Sequence, residues 1–398
     1  GEGSELVANA SHCCFPLQMG TSRPWRCTVL VRLLTALLFL SLLRGAGSSD
    51  AWQGTVKETG LRDVILGAEY NVREEELRIF LASLRSAGCT ADVVLFCGRR
   101  QEHTERLALR FGAAIVNYDF AELNQTHGPV GVHRFHLYRR FLEERRGQYA
   151  RVLHTDVRDV MFQDDPFARI DPHGGGVFFL ESNHLLIGTS PTNRGWMTEN
   201  CSTYEREGML ARTQHRLRSC SGNFFGTVEA AYWYALLMEE EQQRTADAQR
   251  DAEGVVSGRG WCADQAIHQA LLWTGRFAEK MANVTTYMNE DGPLCTMGDV
   301  VRISVDDYGE VRNMNGELYT VVHQYDRHKR VKDTLAARYD VEDEPSRLHP
   351  SYTPEYEDVV HTGDPSVITH HEDTDTSIPG VSDPDPNPNP DPNPSGVC

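Results

Sequence analysis

The alternation of apolar runs and amphipathic segments between residues 63 and 154 constrains the fold of this 398-residue chain more than any other feature. Short apolar runs, of the continuous kind found in strands buried on both faces, alternate with segments whose apolar residues recur at helical spacing. The predicted strands are residues 63–68, 92–97, 113–116 and 149–154, and the predicted helices are residues 74–86, 102–111 and 133–146. Gly88 and Gly112 end the first two helices. This alternation predicts right-handed β-α-β crossovers, and therefore an α/β fold with a Rossmann-type, mostly parallel sheet flanked by helices.

Beyond the fourth predicted strand the pattern becomes mixed, and it ends near residue 339. A strand, two helices and a hairpin-like segment with glycine turns are predicted there: residues 176–180, 230–241 and 264–274, and residues 297–324 with turns at Gly309 and Gly316. We therefore expect one folded domain over residues 62–338, with a mixed C-terminal part. Residues 339–398 form an acidic tail rich in Pro, Asp and Asn, and this composition predicts disorder because little of it can be buried.

Most of the net charge belongs to this tail. The chain has a formal net charge of −18, and residues 341–398 contain 13 Asp and Glu against one Arg, so the tail carries 12 of the 18 net negative charges. The folded part is only mildly acidic, and it shows no cluster of Lys and Arg of the kind that contacts nucleic-acid phosphates. A nucleic-acid partner is therefore not expected.

An apolar segment near the N-terminus predicts entry into the secretory pathway. Arg23, Arg26 and Arg32 precede an apolar run at residues 33–43, and small residues follow at 45–49. A basic region, an apolar core and small residues in this order are typical of a secretory signal. The run is short for a membrane span, which needs about 20 apolar residues.

A buried structural helix is one alternative for this segment, and two interpretations as a targeting segment remain open. Residues 28–47 are either a cleaved signal peptide or a short signal-anchor that leaves a type II membrane protein. Residues 1–27 are then a cytosolic or pre-signal segment, and residues 48–61 are a linker. Either interpretation places the folded domain in the secretory pathway, in the Golgi lumen or secreted from the cell.

Sequons and cysteines favour the same destination. Asn124, Asn200 and Asn283 each begin an N-glycosylation sequon. Six cysteines lie between the targeting segment and the tail, and an even number suits disulfide bonds in an oxidising compartment. They are Cys89, Cys97, Cys201, Cys220, Cys262 and Cys295. If some of them are buried free thiols instead, Cys97, which lies inside an apolar run, is the first candidate.

Two carboxylates, Asp156 and Asp159, follow directly after the fourth predicted strand. Ligands of parallel α/β sheets bind at the carboxyl ends of the strands, and polar groups in an apolar context are costly unless they serve a ligand or a partner. Clustered carboxylate oxygens suit Mg²⁺ or Mn²⁺, usually together with substrate phosphates. The chain has no GxGxxG after its first strand and no GxxxxGK[ST], which disfavours a dinucleotide site and a P-loop enzyme.

The segment at residues 152–167 consists of a strand, an acidic turn and then Phe-Gln-x-Asp-Pro-Phe. It resembles the donor site of GT-A nucleotide-diphospho-sugar transferases, and more narrowly that of uncharacterised members with a TDVRDV-FQ-DPF pattern. The resemblance covers roughly residues 63–330. Four later segments extend it: residues 219–226, 261–268, 289–293 and 321–328.

The resemblance implies three kinds of site residue. Asp156, Asp159 and His323 would hold Mn²⁺ or Mg²⁺. The donor nucleotide-sugar would contact residues of the acidic turn and of a glycine-rich strand: Asp156, Arg158, Asp159, Gly222 and Asn223. Asp264 would face the donor or acceptor sugar and take the catalytic role.

The acidic turn departs from the usual Asp-x-Asp pattern of this family. If Asp156 is the first acidic residue, Arg158 stands at the second acidic position and Asp159 comes one residue later. Either Asp159 takes the ligand role through a different turn, or Arg158 supplies positive charge to the diphosphate and makes the enzyme less dependent on a metal. A metal held with Asp159 and His323 is the favoured arrangement.

The predicted function is transfer of a sugar from a nucleotide-sugar donor to a glycan or glycoprotein acceptor. The alternative is a non-catalytic lumenal binding or scaffold protein with the same fold, for which the Arg158 departure is the main support.

Simpler roles also exist for individual residues. Asp264 could be a helix N-cap and His323 a satisfied core histidine. His268 is expected to be structural. Arg134 could contact a phosphate, but the favoured expectation places it on the solvated face of its helix.

Overall fold

A computed structural model describes the chain in four stretches: residues 60–182, 184–250, 261–298 and 303–340. The predicted signal peptide or signal-anchor at residues 28–47, most of the linker and the acidic tail from residue 341 onward lie outside the described residues. Within those four stretches, no helix has the length and apolar character needed to cross a membrane.

In the part of the chain that the structure describes, twelve strands form three sheets. Numbered along the chain, they are β1 (Arg62–Glu69), β2 (Asp92–Cys97), β3 (Ala113–Asn117), β4 (Tyr149–Thr155), β5 (Val160–Phe162), β6 (Gly176–Leu180), β7 (Ser219–Thr227), β8 (Val284–Tyr287), β9 (Leu294–Thr296), β10 (Ser304–Val305), β11 (Val311–Arg312) and β12 (Val321–His323). The central sheet has seven strands in the order β3-β2-β1-β4-β7-β6-β8. Only β7 runs antiparallel to its neighbours in this sheet, so the expected mostly parallel α/β fold is confirmed.

Helices connect and cover the strands. They are α1 (Glu74–Ser86), α2 (Glu102–Phe111), α3 (Phe120–His127), α4 (Val130–Arg145), α5 (Pro166–Arg169), α6 (Pro191–Met197), α7 (Ser202–Arg206), α8 (Met209–Thr213), α9 (Val228–Asp247), α10 (Asp264–Trp273) and α11 (Lys329–Tyr339). The predicted elements at residues 74–86, 92–97, 102–111 and 176–180 have the observed bounds. The sequence did not predict α3, α5 to α8, α11 or the short strands β5, β8 and β9.

The two faces of the central sheet carry separate cores. On one face, side chains of β1 such as Val64 pack with α4, α9 and α10, where Phe135, Tyr234 and Ile267 are buried. On the other face, Ile65 of β1 packs with α1 and α2. All six residues of β2 are buried, because helices cover both faces of the strand.

A small three-stranded sheet forms the mixed C-terminal part, in the order β5-β12-β9. The expected turns within residues 297–324 are both present: β10 pairs with β11 across Gly309, which has a φ of 77°, and an antiparallel bridge joins Arg312 to Leu318 across Gly316. β12 instead pairs antiparallel with β5 and parallel with β9. This long-range pairing sets His323 opposite Val160.

One disulfide bond is present among the six cysteines, and the alternative of buried free thiols holds for the other four, Cys97 included. Cys201 and Cys262 form a disulfide that joins the start of α7 to the approach to α10. The other four are buried free thiols, because they occupy core positions where cysteine packs as a small apolar residue. These are Cys89, Cys97, Cys220 and Cys295.

Candidate functional site

The strand order predicts a ligand-binding crevice at the carboxyl ends of β1 and β4. From β1 the chain proceeds outward through β2 and β3, and it then returns to β4 on the opposite side of β1. Neighbouring connections therefore leave the sheet in opposite directions at this point, which is where open α/β sheets bind ligands. β4 ends at Thr155, and Asp156 is the next residue.

Three side chains converge in this crevice from two distant parts of the chain. His323 Nε2 lies 3.2 Å from Asp156 Oδ2 and 3.5 Å from Asp159 Oδ1. The pairing of β12 with β5 brings His323 beside the turn that follows β4. One potential ligand atom from each of the three residues lies within 4.8 Å of the others. The structure therefore brings together the three residues expected to hold a metal.

Arg134 and His323 determine the ionisation of the two carboxylates. Burial alone would raise the pKa of Asp156, but the adjacent Arg134 guanidinium, followed by His323, holds it well below its usual range. Burial likewise opposes ionisation of Asp159, yet His323 lowers the pKa of that carboxyl. Both side chains are therefore anionic at neutral pH.

His323 is fully buried between these anions. Burial alone would lower its pKa, but the surrounding polar groups, including both carboxylates, raise it well above its usual value. Cys220 Sγ lies 3.6 Å from the other ring nitrogen, Nδ1. Burial raises the pKa of the Cys220 thiol, so that thiol is neutral and the carboxylates are the charges that protonate His323.

The residues fit a divalent cation. His323 Nε2 is buried and has no hydrogen-bond partner of acceptable geometry among the described residues, although two carboxylates lie close to it. Two carboxylate oxygens and one imidazole nitrogen form a suitable ligand set for Mn²⁺ or Mg²⁺. Binding would require His323 to be neutral, so the ion would take the place of the proton.

Gly222 and Asn223 form the wall of the crevice on β7. A Cβ at Gly222 would lie 2.5 Å from Asp156 Oδ2 and 2.8 Å from His323 Cε1, so these side chains occupy the space that a larger residue would need. The backbone N–H of Asp156 donates to the Gly222 carbonyl at 2.8 Å. Asn223 is fully buried, and its Oδ1 accepts a hydrogen bond from Thr155 Oγ1 at 2.8 Å.

Arg134 is buried in the site, and the expectation of a solvated helix face is wrong. Its Nη1 donates to Asp156 Oδ1, and its Nη2 donates to Asp264 Oδ2 at 2.5 Å and to the Ser221 carbonyl at 3.2 Å. Arg134 shares the apolar face of α4 with Leu137, Tyr138 and Phe141, at spacings of three, four and seven residues. A charge on that face was the sequence signal that could have identified it.

Asp264 is linked to the crevice through this arginine. It is the first residue of α10, after Ala263 at the N-cap position, and its Oδ1 accepts a hydrogen bond from the backbone N–H of Gln265 at 2.8 Å, as a helix-capping carboxylate does. Besides Arg134, its Oδ2 accepts a hydrogen bond from Ser221 Oγ at 3.0 Å. The N-terminus of a helix also favours a negative charge at this position.

Arg158 lies at the rim of the crevice. Its side chain is 51% exposed and contacts Asp159 Oδ2 at 3.2 Å and Asp326 Oδ2 at 4.0 Å. Asp159 thus faces His323 with one oxygen and Arg158 with the other. This geometry is compatible with Asp159 as a metal ligand, because Asp159 lies beside His323. It is also compatible with Arg158 as a cation for the diphosphate, because Arg158 faces outward.

Further polar residues follow β6, whose carboxyl end lies at the same edge of the sheet. Gln265 Nε2 donates to Glu181 Oε1 at 2.7 Å, and Ser182 Oγ donates to Glu290 Oε1 at 3.0 Å. Glu181 and Glu290 are buried. Glu290 lies in the polar segment at residues 289–293 that the resemblance includes, whereas Glu181 was not selected from the sequence. His268, by contrast, is structural as expected, since its two ring nitrogens bond to hydroxyls of the core.

No protein-family model matches the chain, and no curated protein matches it.

Proposed function

We propose that the protein is a glycosyltransferase that uses a nucleotide-diphosphate sugar and a divalent metal ion. The observation that carries this proposal is the convergence of Asp156, Asp159 and His323 at the point where the strand order reverses. Two ionised carboxylates and a buried imidazole beside an open sheet edge suit a metal that is shared with a diphosphate. The resemblance of residues 152–167 to GT-A donor sites supports the same chemistry.

Asp156, Asp159 and His323 are the residues that would hold Mn²⁺ or Mg²⁺. The ion, when bound, would neutralise the negative charge that develops on the departing nucleoside diphosphate. Arg134 acts as a positioning residue, because it fixes Asp156 from the side opposite His323 and keeps it ionised. Arg158, at the exposed rim, is the cation placed to meet diphosphate oxygens.

Asp264 and Glu181 supply carboxylates on the sugar side of the crevice. Asp264 shares Arg134 with Asp156, which keeps the two carboxylates at a fixed separation. Its oxygens are suited to accept hydrogen bonds from sugar hydroxyls or to receive the proton of an acceptor hydroxyl. Gln265 is the next residue after Asp264, and its side chain donates a hydrogen bond to Glu181. A row of polar groups therefore extends from Asp264 away from the metal-binding residues.

The acceptor in this proposal is a glycan or glycoprotein of the secretory pathway. Three observations support an extracytoplasmic setting: the Cys201–Cys262 disulfide, the predicted N-terminal signal and the exposure of the three sequon asparagines. Asn124, Asn200 and Asn283 all lie on the surface, where an oligosaccharide can be attached without unfolding.

The test is hydrolysis of nucleotide-sugars by the full-length chain, because this reaction requires no known acceptor. A panel of UDP- and GDP-sugars would be assayed with and without Mn²⁺, beside Asp156→Asn and the exposed control Asp307→Asn, whose side chain is 91% exposed. We expect turnover of one donor that depends on Mn²⁺, is lost in Asp156→Asn and is retained in Asp307→Asn.

Turnover without Mn²⁺ would still support a glycosyltransferase, and it would assign neutralisation of the diphosphate charge to Arg158. If a well-folded sample shows neither turnover nor a thermal shift with any nucleotide, the proposal fails and the non-catalytic alternative stands.

A further inference from the structure

A second group of metal-ligating side chains lies outside the crevice. His127 is the last residue of α3, His136 lies in α4 and Glu239 lies in α9. One potential ligand atom from each residue lies within 4.8 Å of the others, and all three residues are partly buried. His136 is on a different face of α4 from Arg134, so this group is not part of the proposed donor site.

Direct contacts already join the three side chains. His136 Nδ1 lies 2.8 Å from Glu239 Oε1. The rings of His127 and His136 have centroids 4.2 Å apart, with an angle of 39° between their planes. A tetrahedral ion with bonds of about 2.1 Å sets its ligand atoms about 3.4 Å apart, so modest side-chain rotation suffices to bring these atoms onto one ion.

Thr126 fixes which nitrogen of His127 carries a lone pair. The Thr126 hydroxyl donates its single hydrogen to the Glu122 carbonyl, at 2.8 Å. The same oxygen lies 2.8 Å from His127 Nδ1, and because its hydrogen is already used it must accept there. Nδ1 therefore bears the ring proton, and Nε2 carries the lone pair. Such a partner on the far nitrogen is the usual support of a metal-binding histidine.

Neighbouring charges leave one oxygen of Glu239 for the histidines. Arg139 Nε donates to Glu239 Oε2 at 2.5 Å, whereas the contact from Arg139 Nη2 to Oε1 is long, at 3.4 Å. Arg139 is itself paired with Glu143 at 2.8 Å. The arginine thus orients the carboxylate with Oε1 towards His136, and Glu143 offsets its positive charge.

We infer that His127, His136 and Glu239 form a zinc site that links α3, α4 and α9. Two imidazoles and one carboxylate favour Zn²⁺ and other nitrogen-preferring ions over Mn²⁺ or Mg²⁺, which suit the oxygen-rich set at Asp156. Three protein ligands leave a fourth position for water at this partly exposed place.

The test is titration of the tag-free, chelator-treated full-length protein with Zn²⁺ and, separately, with Co²⁺, whose visible absorption reports tetrahedral nitrogen and oxygen ligands. We expect one equivalent of Zn²⁺ to bind, with affinity at least about 100-fold weaker in His136→Ala and in His127→Ala. The exposed control His215→Ala should bind as the wild type does. Mn²⁺ binding should be the same in all four proteins, since it concerns the other cluster.

A variant that keeps all three ligands distinguishes a specific loss of Zn²⁺ binding from a loss of folding. In an Asn124→Gln background, which removes the sequon that contains Thr126, Thr126→Val should weaken Zn²⁺ binding about tenfold, and Thr126→Ser should restore it. Zinc affinity that is unchanged by His136→Ala and by Thr126→Val, or absence of stoichiometric Zn²⁺ binding to the wild type, would overturn the inference.

Discussion

Replacing Gly222 with alanine would disturb the proposed metal-binding cluster without removing any of its ligands. The backbone of Gly222 is not in the left-handed region, so alanine is opposed there only by lack of space. The added Cβ would lie 2.5 Å from Asp156 Oδ2 and 2.8 Å from His323 Cε1, whereas ordinary contacts begin near 3.4 Å. Both side chains would have to retreat, by up to about 1 Å.

Neither side chain can retreat freely. Asp156 is fixed through its side chain by Arg134 and through its backbone N–H by Gly222 itself. His323 is fully buried beside Cys220. Overpacking of this kind costs about 1–3 kcal/mol, and disturbed support of a metal ligand weakens binding about 10- to 100-fold. We therefore expect Mn²⁺ affinity to fall by one to two orders of magnitude in Gly222→Ala.

The assay is calorimetric titration with Mn²⁺, combined with thermal unfolding to establish that each variant is folded. Gly195→Ala is the matched control, because nothing lies within 4 Å of a Cβ at that helical position. The control should bind Mn²⁺ as the wild type does. If a folded Gly222→Ala also binds Mn²⁺ with wild-type affinity, the ion does not lie between Asp156 and His323 and the reasoning is refuted.

Other parts of the structure give further predictions. Arg134→Met should destabilise the fold by about 3–5 kcal/mol in urea unfolding, because it leaves two carboxylates without their shared cation; an unchanged midpoint would contradict this. Burial lowers the pKa of His133 to about 4 and that of His268 to about 3. Since both values lie below the unfolded value near 6.5, stability should be lost as pH falls from 6.5, by about 2 kcal/mol per histidine at pH 5, and equal stability at pH 7 and pH 5 would refute this. Cys201→Ser should lower the free energy of unfolding by about 2–4 kcal/mol, and a reductant should then have no further effect.

Local sequence patterns predicted the elements that local interactions determine. α2 begins and ends where the apolar spacing and Gly112 indicate, and Gly112 has the expected left-handed conformation, with a φ of 62°. β2 and β6 are continuous apolar runs, and their bounds follow from that pattern alone. Asp156 and Asp159 were found in the same way, because they follow the end of such a strand.

Long-range contacts account for what the sequence did not predict. β12 pairs with β5 and β9 rather than within a hairpin, and no local spacing specifies that choice. Arg134 was placed on the solvated face because charged residues usually lie there, yet two carboxylates from other elements stabilise its burial. The residues His127, His136 and Glu239 meet only because three helices pack together.

The position of the Cys201–Cys262 disulfide has a consequence for how the protein is made. Cys262 lies two residues before Asp264, so the covalent bond restrains the start of the helix that presents this carboxylate to Arg134. In the proposed glycosyltransferase, oxidation during biogenesis would therefore act as a maturation step for the sugar side of the crevice, and not only as reinforcement of the fold. Protein produced in a reducing cytosol would carry the complete set of metal ligands but a loosely anchored Asp264. A comparison of oxidised and reduced preparations would separate the proposed metal binding from the proposed sugar transfer in one chain.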